Sequence, residues 1–324
     1  MADATRETRE SQLKNFLDVL RCPTSGKPMK IVGDVLISAD GEHSYEIDAT
    51  GIPLFATNLL SADAKSQRYH YNKIAAAYTA NLDYPHTKEY MAYLDQAVLN
   101  AIGGSNLGTL VELCCGRGEA LGLLGGRVRR YIGVDVSETM LRATAGFREH
   151  SNALYVQADA TRTPLAAKSV DTVAILGGVH HVPDRAGLFA EVFRILKPGG
   201  KLLYREPVSD FALWRGLRAL IYRLSPMLDH ATERPLIYSE TVPVLERVGL
   251  RSEHYRTHGL FGFCLFMNSD VLFFNRVFRF IPGICAIARY SARFDEAMLA
   301  IPGLRHMGLQ VVGVATKPET RADN

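Results

Sequence analysis

Residues 110–119 read LVELCCGRGE, and this stretch decides the fold that the sequence predicts. A run rich in Leu and Val stops at Gly116 and Gly118, and good helix formers follow from 120 to 124. An apolar run, a glycine turn and a helical run in this order predict a strand, a tight turn and a helix. Glycine suits the turn because it lets the backbone approach a ligand closely or adopt a positive φ. Such a turn can also serve packing alone, so the stretches that follow must decide.

Two further apolar runs each lead into a carboxylate. Residues 130–134 end at Asp135, about twenty residues beyond the glycines, where an acidic side chain can accept hydrogen bonds from both hydroxyls of a ribose. Residues 154–158 lead into Asp159, whose carboxylate suits an exocyclic amine. Together the two carboxylates suit a nucleoside.

A fourth apolar run, residues 170–176, opens into the segment Gly-Gly-Val-His-His at 177–181. Residues 189–196 have the pattern of an amphipathic helix, which stops at Lys-Pro-Gly-Gly, 197–200, before a strand at 201–204. No single motif in this series is specific, but the ordered set is.

The ordered set resembles the class I S-adenosylmethionine (SAM)-dependent methyltransferases, especially those that act on small molecules such as quinones, sterols and natural products. The resemblance covers roughly residues 65–205 and 236–316. It implies an α/β fold with a Rossmann-like sheet of seven strands, six parallel and the last antiparallel, and helices on both faces. It also implies SAM as the cofactor. Cys114 departs from the family's usual glycine at that position, and we expect its small side chain to be tolerated.

The resemblance also assigns roles to residues of this sequence. Gly116 and Gly118 would admit the methionine part of the cofactor, with Glu112 nearby. Asp135 would hold the ribose, while Asp159 and Ala160 would meet the adenine. The complete set of expected cofactor-binding residues is Tyr71, Tyr78, Glu112, Gly116, Gly118, Asp135, Val136, Met140, Asp159, Ala160 and Gly177.

Composition bounds the remaining alternatives. A chain of 324 residues that is 47% hydrophobic and 22% charged can bury a full core. The formal charge of +3 comes from mixed signs without a basic block, which argues against nucleic acid as a partner. Five scattered cysteines make no disulfide framework, and the charged N-terminus lacks the apolar core of a signal peptide, so we expect a cytoplasmic protein. A homodimer and peripheral membrane contact both stay open.

Residues 1–60 are predicted to form a small module ahead of the main domain. Leu13, Phe16, Leu17 and Leu20 repeat at helical spacing, and Cys22-Pro23 would end that helix. Strands are predicted at 29–32, 35–38 and 43–47, because turn signals separate these runs.

The segment 20–55 resembles the small zinc-ribbon-like domain that precedes some methyltransferases, including rRNA guanine methyltransferases. A tetrahedral zinc site needs four Cys or His ligands, and only Cys22 and His43 remain here. We therefore expect a module without zinc that serves packing, dimerisation or covering of the acceptor.

Residues 61–105 are predicted to form a helical connector ahead of the methyltransferase domain at 106–324. The string 71–78 resembles the helix that closes over SAM in the quinone-type enzymes, which makes Tyr71 and Tyr78 candidates for contact with cofactor or acceptor. A plain amphipathic helix packed on the core is an equal alternative.

Two insertions interrupt the predicted domain, at 205–235 and 259–307. The second is rich in phenylalanine, including Phe263 and Phe266, and falls between the last two strands. Because the last strand is antiparallel, this loop should emerge at the carboxyl edge of the sheet, where ligands bind. We prefer a lid over a large apolar acceptor; buried helices in the core or a dimer interface, and an interfacial membrane helix, are the alternatives.

Methyl transfer is an in-line displacement, so the protein must chiefly align the reactants and, where needed, remove a proton. The candidates for that base are His181, His180 and Glu206, with His181 slightly preferred and Glu206 as orienter or alternative base. Arg205 could pair with Glu206 or with an acidic acceptor. The preferred function is methyl transfer to a small apolar or aromatic acceptor such as a quinone, polyketide or terpenoid. The alternatives are rRNA or tRNA base methylation and a SAM-binding fold used for a non-methylating reaction such as cyclisation.

Overall fold

The computed structural model describes residues 10–56, 61–69, 72, 83–143, 152–216, 234–267 and 273–319. The strands are β1 Met29–Val32, β2 Val35–Ser38, β3 Ser44–Glu46, β4 Gly108–Leu113, β5 Val128–Asp135, β6 Ala153–Gln157, β7 Val170–Leu176, β8 Leu196–Pro207, β9 Arg251–His258 and β10 Gln310–Thr316. The α-helices are α1 Pro85–Ile102, α2 Glu119–Leu124, α3 Glu138–Arg142, α4 Arg185–Ile195, α5 Tyr238–Arg247, α6 Phe261–Phe266 and α7 Ile284–Leu299. Short 3-10 helices lie at Gly125–Arg127, Val179–His181 and Phe273–Phe280.

Strands β4 to β10 form one sheet in the order β6-β5-β4-β7-β8-β10-β9. Parallel pairing runs from β6 through β5, β4 and β7 to β8. Strand β10 pairs antiparallel with both β8 and β9. Six strands therefore run one way and the last runs the other way, which confirms the predicted Rossmann-like methyltransferase sheet. The strand order reverses between β4 and β7, where open α/β sheets place their ligands.

Helices cover both faces of the sheet, so its central strands are buried on both sides. Along β4, Val111 and Leu113 belong to one hydrophobic cluster and Leu110 to the other, as the alternation of side chains in a strand requires. Helices α4 and α5 pack on the first face, whereas α1 and α2 pack on the second. This burial on both faces is what makes the central strands continuous apolar runs.

Two element boundaries differ from the prediction for identifiable reasons. Helix α4 begins at Arg185, before the predicted 189, because the Asp184 carboxylate accepts a hydrogen bond from the Gly187 N–H at 2.8 Å and caps the helix. Strand β8 already begins at Leu196 and includes the predicted turn at 197–200. There the Gly199 N–H donates to the carbonyl of Lys317, just beyond β10, at 2.8 Å.

The first module forms the predicted three-stranded antiparallel sheet, β1-β2-β3, and packs directly on the large sheet. The Phe55 N–H donates to the Gln157 carbonyl at the end of β6, and the Gln157 N–H donates to Pro53, both at 2.9 Å. The division of the chain at 60 and 105 stays a prediction. The structure shows that the module and the sheet share a hydrophobic core.

The helix predicted over residues 13–20 ends at residue 14, so that prediction is wrong beyond this point. The Arg21 N–H donates to the Pro164 carbonyl at 2.8 Å, and the chain at Leu20 bridges to Leu165. This pairing draws the chain out of helical geometry, although Phe16 and Leu20 are fully buried as the apolar spacing implied.

Within the described ranges no group of three or more His, Cys, Asp or Glu side chains is placed to hold a metal ion. The Cys22 thiol lies 3.2 Å from the Tyr45 hydroxyl, with which it shares a hydrogen bond.

The second insertion folds into α6, the 3-10 helix at 273–280 and α7. Phe263 and Phe266 are buried in a separate hydrophobic cluster with Tyr90 and Leu94 of α1 and with Ala288 of α7. Asp295 fastens this cluster, because its carboxylate accepts hydrogen bonds from the Tyr90 hydroxyl at 2.6 Å and from backbone N–H groups at the start of α6. Among the described residues, no helix is long and apolar enough to span a membrane.

Candidate active site at the carboxyl edge of the sheet

A cavity opens where β4, β5, β6 and β7 end, at the switch point of the strand order. The structure brings eight of the predicted site residues to its wall: Gly116, Asp135, Val136, Met140, Asp159, Ala160, Gly177 and His181. Three others lie beside the cavity without lining it: Glu112, Gly118 and His180. Tyr71 and Tyr78 lie outside the described residues.

The glycine turn after β4 requires left-handed backbone at three positions. Gly116 has φ of 50° and Gly118 has φ of 84°, which glycine adopts without steric cost. Gly118 is also closely packed, since a Cβ there would lie 2.7 Å from the Tyr155 hydroxyl. Cys114 has φ of 55° as well, a conformation that a side chain opposes. The side chain at Cys114 is accommodated as predicted, but at a strained backbone position.

The side chain of Cys114 fits because residue 178, in the neighbouring loop, is a glycine. A Cβ at Gly178 would lie only 2.5 Å from the Cβ of Cys114, so a residue larger than glycine does not fit at 178. Cys114 itself lines the cavity. A side chain at Cys114 therefore requires a glycine at position 178.

Glu112 lies beneath the turn and is buried. Its carboxylate accepts a hydrogen bond from the Ala120 N–H at the start of α2, at 3.0 Å, and another from the Tyr131 hydroxyl. Burial raises the pKa of this carboxyl to about 8. The role near the cofactor stays a prediction; in the structure the side chain holds the turn from below.

Asp135 and Asp159 present their carboxylates to the cavity. Asp135 accepts hydrogen bonds from the N–H groups of Gly116 and Ser137, both at 2.8 Å, so it joins the ends of β4 and β5. Asp159 accepts from the N–H of Thr161 at 2.9 Å and from the Ser61 hydroxyl at 3.0 Å. Each carboxylate thus stabilises a loop through its hydrogen bonds and also lines the cavity.

Residues 61–69, at the start of the predicted connector, form part of the cavity wall, which the sequence did not indicate. Residues 62–69 are helical, and Ser61, Asp63, Ala64 and Gln67 line the cavity. The segment is held across the cavity by the bond from Ser61 to Asp159 and by an ion pair between Arg68 and Glu138. These helical residues precede the string 71–78, of which the structure describes only residue 72, so the predicted closing helix stays a prediction. The helical spacing of apolar residues could not indicate this segment, because the side chains with which it lines the cavity are small or polar.

His180 and His181 follow each other on a 3-10 helix, and the centroids of their rings are 3.8 Å apart. His181 lines the cavity. His180 instead lies with its Nδ1 2.8 Å from Glu206 Oε2. Of the two histidines, the preferred candidate therefore has the accessible position.

Glu206 is fully buried behind this segment. Its carboxylate accepts hydrogen bonds from the N–H groups of Gly178 at 2.7 Å and Val179 at 2.9 Å. Burial raises the pKa of this carboxyl to about 7, although the two N–H groups act in the opposite direction. Glu206 does not line the cavity, so its geometry fits the orienting role and not that of a base.

Arg205 points to the opposite face of β8 and pairs with Asp95 and with Glu119, the latter at 3.3 Å. It forms no pair with Glu206 because neighbouring strand residues face opposite ways. Glu119 lines the main cavity and also a second one, together with Arg117 and Leu176. The second cavity is completed by residues of α1, including Met91 and Asp95. No local pattern in the sequence reveals this cavity, because its lining residues come from separate segments of the chain.

Comparison with known proteins identifies the central part of this site. Residues 111–204, which contain the glycine turn, Asp135, Asp159 and the His-His segment, match the family model described as methyltransferase domain. The chain carries a methyltransferase domain. The cofactor of this domain is S-adenosylmethionine.

Curated relatives of the methyltransferase domain include enzymes that act on quinones. The chain is 36% identical over 108 residues to the demethylmenaquinone methyltransferase of Lactococcus lactis, covering 30% of this chain and 41% of that protein. It is 32% identical over 108 residues to the 2-phytyl-1,4-naphtoquinone methyltransferase of Thermosynechococcus vestitus, covering 32% and 46%. It is also 28% identical over 149 residues to a malonyl-[acyl-carrier protein] O-methyltransferase of Marinomonas, covering 45% and 55%. The chain spans about half or less of the length of these relatives.

Solved structures support the fold of the methyltransferase domain. One is a chain from the complex between the Haloferax volcanii Trm112 methyltransferase activator and a methyltransferase, with a TM-score of 0.53 and 18% identity over 78% of this chain and 98% of that chain. Another is a SAM-dependent methyltransferase of Thermotoga maritima, with a TM-score of 0.51 and 18% identity over 77% and 99%.

The residues that line the cavity suit the chemical groups of the cofactor. A Cβ added at Gly177 would meet no atom within 4 Å, so the missing side chain leaves open space in the wall. Val136, Met140 and Ala160 supply apolar surface for a flat base, and Asp135 and Asp159 supply acceptors for hydroxyl and amine groups. Arg117 adds a cation that suits a carboxylate.

Proposed function

We propose that the protein transfers a methyl group from SAM to a small, largely apolar or aromatic acceptor of the quinone type. The observation that carries the proposal is the single cavity wall shared by Gly116, Asp135, Asp159 and His181. The quinone-acting relatives over the matched residues support the choice of acceptor.

The residues of the cavity would divide the cofactor between them. Asp135 would accept hydrogen bonds from the ribose hydroxyls, and Asp159 with Ala160 would contact the adenine. The turn at Gly116 and the guanidinium of Arg117 would hold the methionine part. When bound, SAM supplies a methyl group that is electrophilic because it is attached to a sulfonium.

His181 would serve as the general base. Its imidazole stands on the cavity wall, where it can take the proton of an acceptor hydroxyl as that oxygen or its conjugated ring becomes the nucleophile. Glu206 and His180 would keep it there, because the buried carboxylate holds the backbone of the 178–180 turn by three N–H groups. Both would be positioning residues.

The acceptor would enter through the second cavity. This cavity meets the first at Leu176, the last residue of the strand that leads to His181, and at Arg117 and Glu119. Met91, Leu123 and Leu176 provide apolar surface for an aromatic ring. An acceptor in this position would approach the cofactor from the side of α1.

Two measurements test the proposal. Calorimetry of SAM binding should show a loss of about ten- to a thousand-fold in Asp135→Ala, because two hydrogen bonds to a carboxylate are removed, each worth roughly 1.5–3 kcal/mol. The matched control is Asp40→Ala, at an exposed hairpin position far from the cavity. Unchanged affinity in a folded Asp135→Ala protein would refute the assignment of the ribose site.

The second measurement follows radiolabelled methyl groups from SAM into candidate acceptors. A reduced 1,4-naphthoquinone with an isoprenoid chain should become labelled, whereas total RNA should not. Labelled RNA would replace the proposed acceptor by a nucleic acid. A protein that binds SAM but labels no fraction of a cell extract would point to a non-methylating reaction.

A further inference from the structure

Large apolar side chains that face solvent are concentrated in one part of the molecule, the second insertion. Among the described residues nine of the thirteen lie there, including Phe261, Val277, Phe280, Ile287, Tyr290 and Phe294; Val32, Tyr69, Leu213 and Tyr238 lie elsewhere. Phe280 is 72% exposed and Tyr290 is 67% exposed, values that belong to side chains standing almost free of the protein. Scattered exposed apolar residues need no explanation, but a contiguous group marks an interaction surface.

Helix α7 shows that the group is contiguous. Its buried residues, Ile284, Ala288, Ala292, Asp295 and Leu299, are spaced three or four apart and face the cluster under the insertion. Ile287, Tyr290 and Phe294 follow the i, i+3, i+7 spacing of a second stripe on the outer side. The helix is therefore apolar on two sides, and the described part of the chain covers only one of them.

Neighbouring segments extend the outer stripe. The ring of Phe261, at the start of α6, lies 6.5 Å from the ring of Phe294. The 3-10 helix at 273–280 packs beside α7 and exposes Val277 and Phe280. We call these six exposed apolar side chains, together with Arg279 and Arg293, the basic aromatic face.

The charge of this surface is of one sign. Residues 273–294 include four arginines, at 276, 279, 289 and 293, and no aspartate or glutamate. Arg289 pairs with Glu89 of α1 at 2.6 Å. Arg279 and Arg293 have no acidic partner among the described residues; they lie over the rings of Phe280 at 4.7 Å and Tyr290 at 5.8 Å. Each guanidinium thus stands directly beside an exposed aromatic ring.

We propose that the basic aromatic face docks the protein on a membrane that contains anionic lipids. Aromatic rings lie favourably at the boundary between headgroups and acyl chains, and arginine beside them can meet lipid phosphate. A second copy of the chain is a poorer occupant, because a two-fold contact would bring Arg279 and Arg293 of both copies together without acidic partners. The proposal does not depend on methyl transfer.

The place of this face in the fold connects it with the cavities. The insertion leaves β9 at the carboxyl edge of the sheet, because β9 runs parallel to the strands that carry the site. It packs on Tyr90 and Leu94 of α1, while Met91 and Asp95 of the same helix line the second cavity. In the docked protein α1 would lie between this cavity and the insertion on the lipid surface. An apolar acceptor could then reach the cavity from the membrane.

The test is sedimentation of the full-length protein with vesicles, without methyl donor or acceptor. Vesicles of phosphatidylglycerol and phosphatidylcholine should carry down the wild-type protein, and added salt should weaken binding because charge attraction is screened. Phosphatidylcholine alone should bind it less. Phe280→Ser with Phe294→Ser should lower the partition coefficient at least tenfold, and Arg279→Glu with Arg293→Glu should lower it more. The matched controls are Val32→Ser and Arg247→Glu, which are exposed elsewhere.

Size-exclusion chromatography with light scattering completes the test. A monomer that loses vesicle binding only in the face variants would support the proposal. Wild-type protein that stays in the supernatant with every vesicle composition would overturn it. A dimer that the face variants dissociate would assign the face to a contact between copies, and would also overturn it. None of these outcomes depends on whether the protein methylates an acceptor.

Discussion

The buried carboxyl of Glu112 should make the stability of the fold fall as the pH rises. In the folded protein the pKa of this group is raised from its ordinary value of 4.5 to about 8 by burial. Between these two values the folded state keeps a proton that the unfolded state has lost. Stability from this source is therefore fully present below the unfolded pKa and is lost as the pH rises through the folded pKa.

The magnitude follows from the linkage. Over the two pH units from 5 to 7 the folded Glu112 would remain protonated, so its contribution falls by about 3 kcal/mol at 1.36 kcal/mol for each unit. With an unfolding entropy of about 2.1 cal/mol/K for each residue, the melting temperature should fall by about 4 °C. Glutamine at this position cannot titrate, yet its oxygen can still accept from the Ala120 N–H.

The assay is urea unfolding of the wild-type protein and of Glu112→Gln at pH 5 and pH 7. The difference in unfolding free energy between the two proteins should shift by about 3 kcal/mol in favour of the variant as the pH rises. Contributions of other titrating groups, Glu206 among them, cancel in this difference. Glu42→Gln, the same substitution at an exposed hairpin position, is the matched control. An equal difference at both pH values would refute the conclusion that Glu112 holds a proton in the folded state.

Three further predictions follow from the site and the insertion. His181→Ala should lower the rate of methyl transfer by about a hundred- to ten-thousand-fold with SAM affinity near normal, as single-turnover kinetics beside calorimetry would show; an unchanged rate would leave alignment as the only contribution. Cys114→Gly should change the unfolding free energy by less than about 1 kcal/mol, because relief of the positive φ offsets lost packing, whereas Cys115→Gly should cost about 2 kcal/mol in the same denaturation series. Phe266→Ala should cost about 3–5 kcal/mol and Phe280→Ala less than about 0.5 kcal/mol in thermal melts; equal melting temperatures would remove Phe266 from the core and return it to the acceptor.

Phe266 also shows what the sequence leaves undecided about the insertion. Its richness in phenylalanine favours a lid over the acceptor, with buried helices as an alternative. In the structure Phe263 and Phe266 are covered by α1 and α7, which favours the buried alternative for these two side chains. Their neighbour Phe261 is exposed. Composition could not separate them, because which side of a short helix is covered depends on a partner helix far away in the chain.

The sequence by itself determined the fold and the order of the site. Strand β7 spans the predicted residues 170–176, because a strand buried on both faces is a continuous apolar run that local pattern reveals. The glycine turn and the carboxylates at 135 and 159 were placed correctly at one edge, since parallel strands bring their carboxyl ends together.

Only the tertiary structure decided where individual side chains point. Glu112 supports the turn from below, His181 lines the cavity while its neighbour His180 lies against Glu206, and Arg205 pairs with Asp95 of α1. Each of these positions depends on a contact between residues far apart in the chain. Such contacts leave no local period or spacing, because the free energy that selects them comes from burial and pairing in the assembled fold.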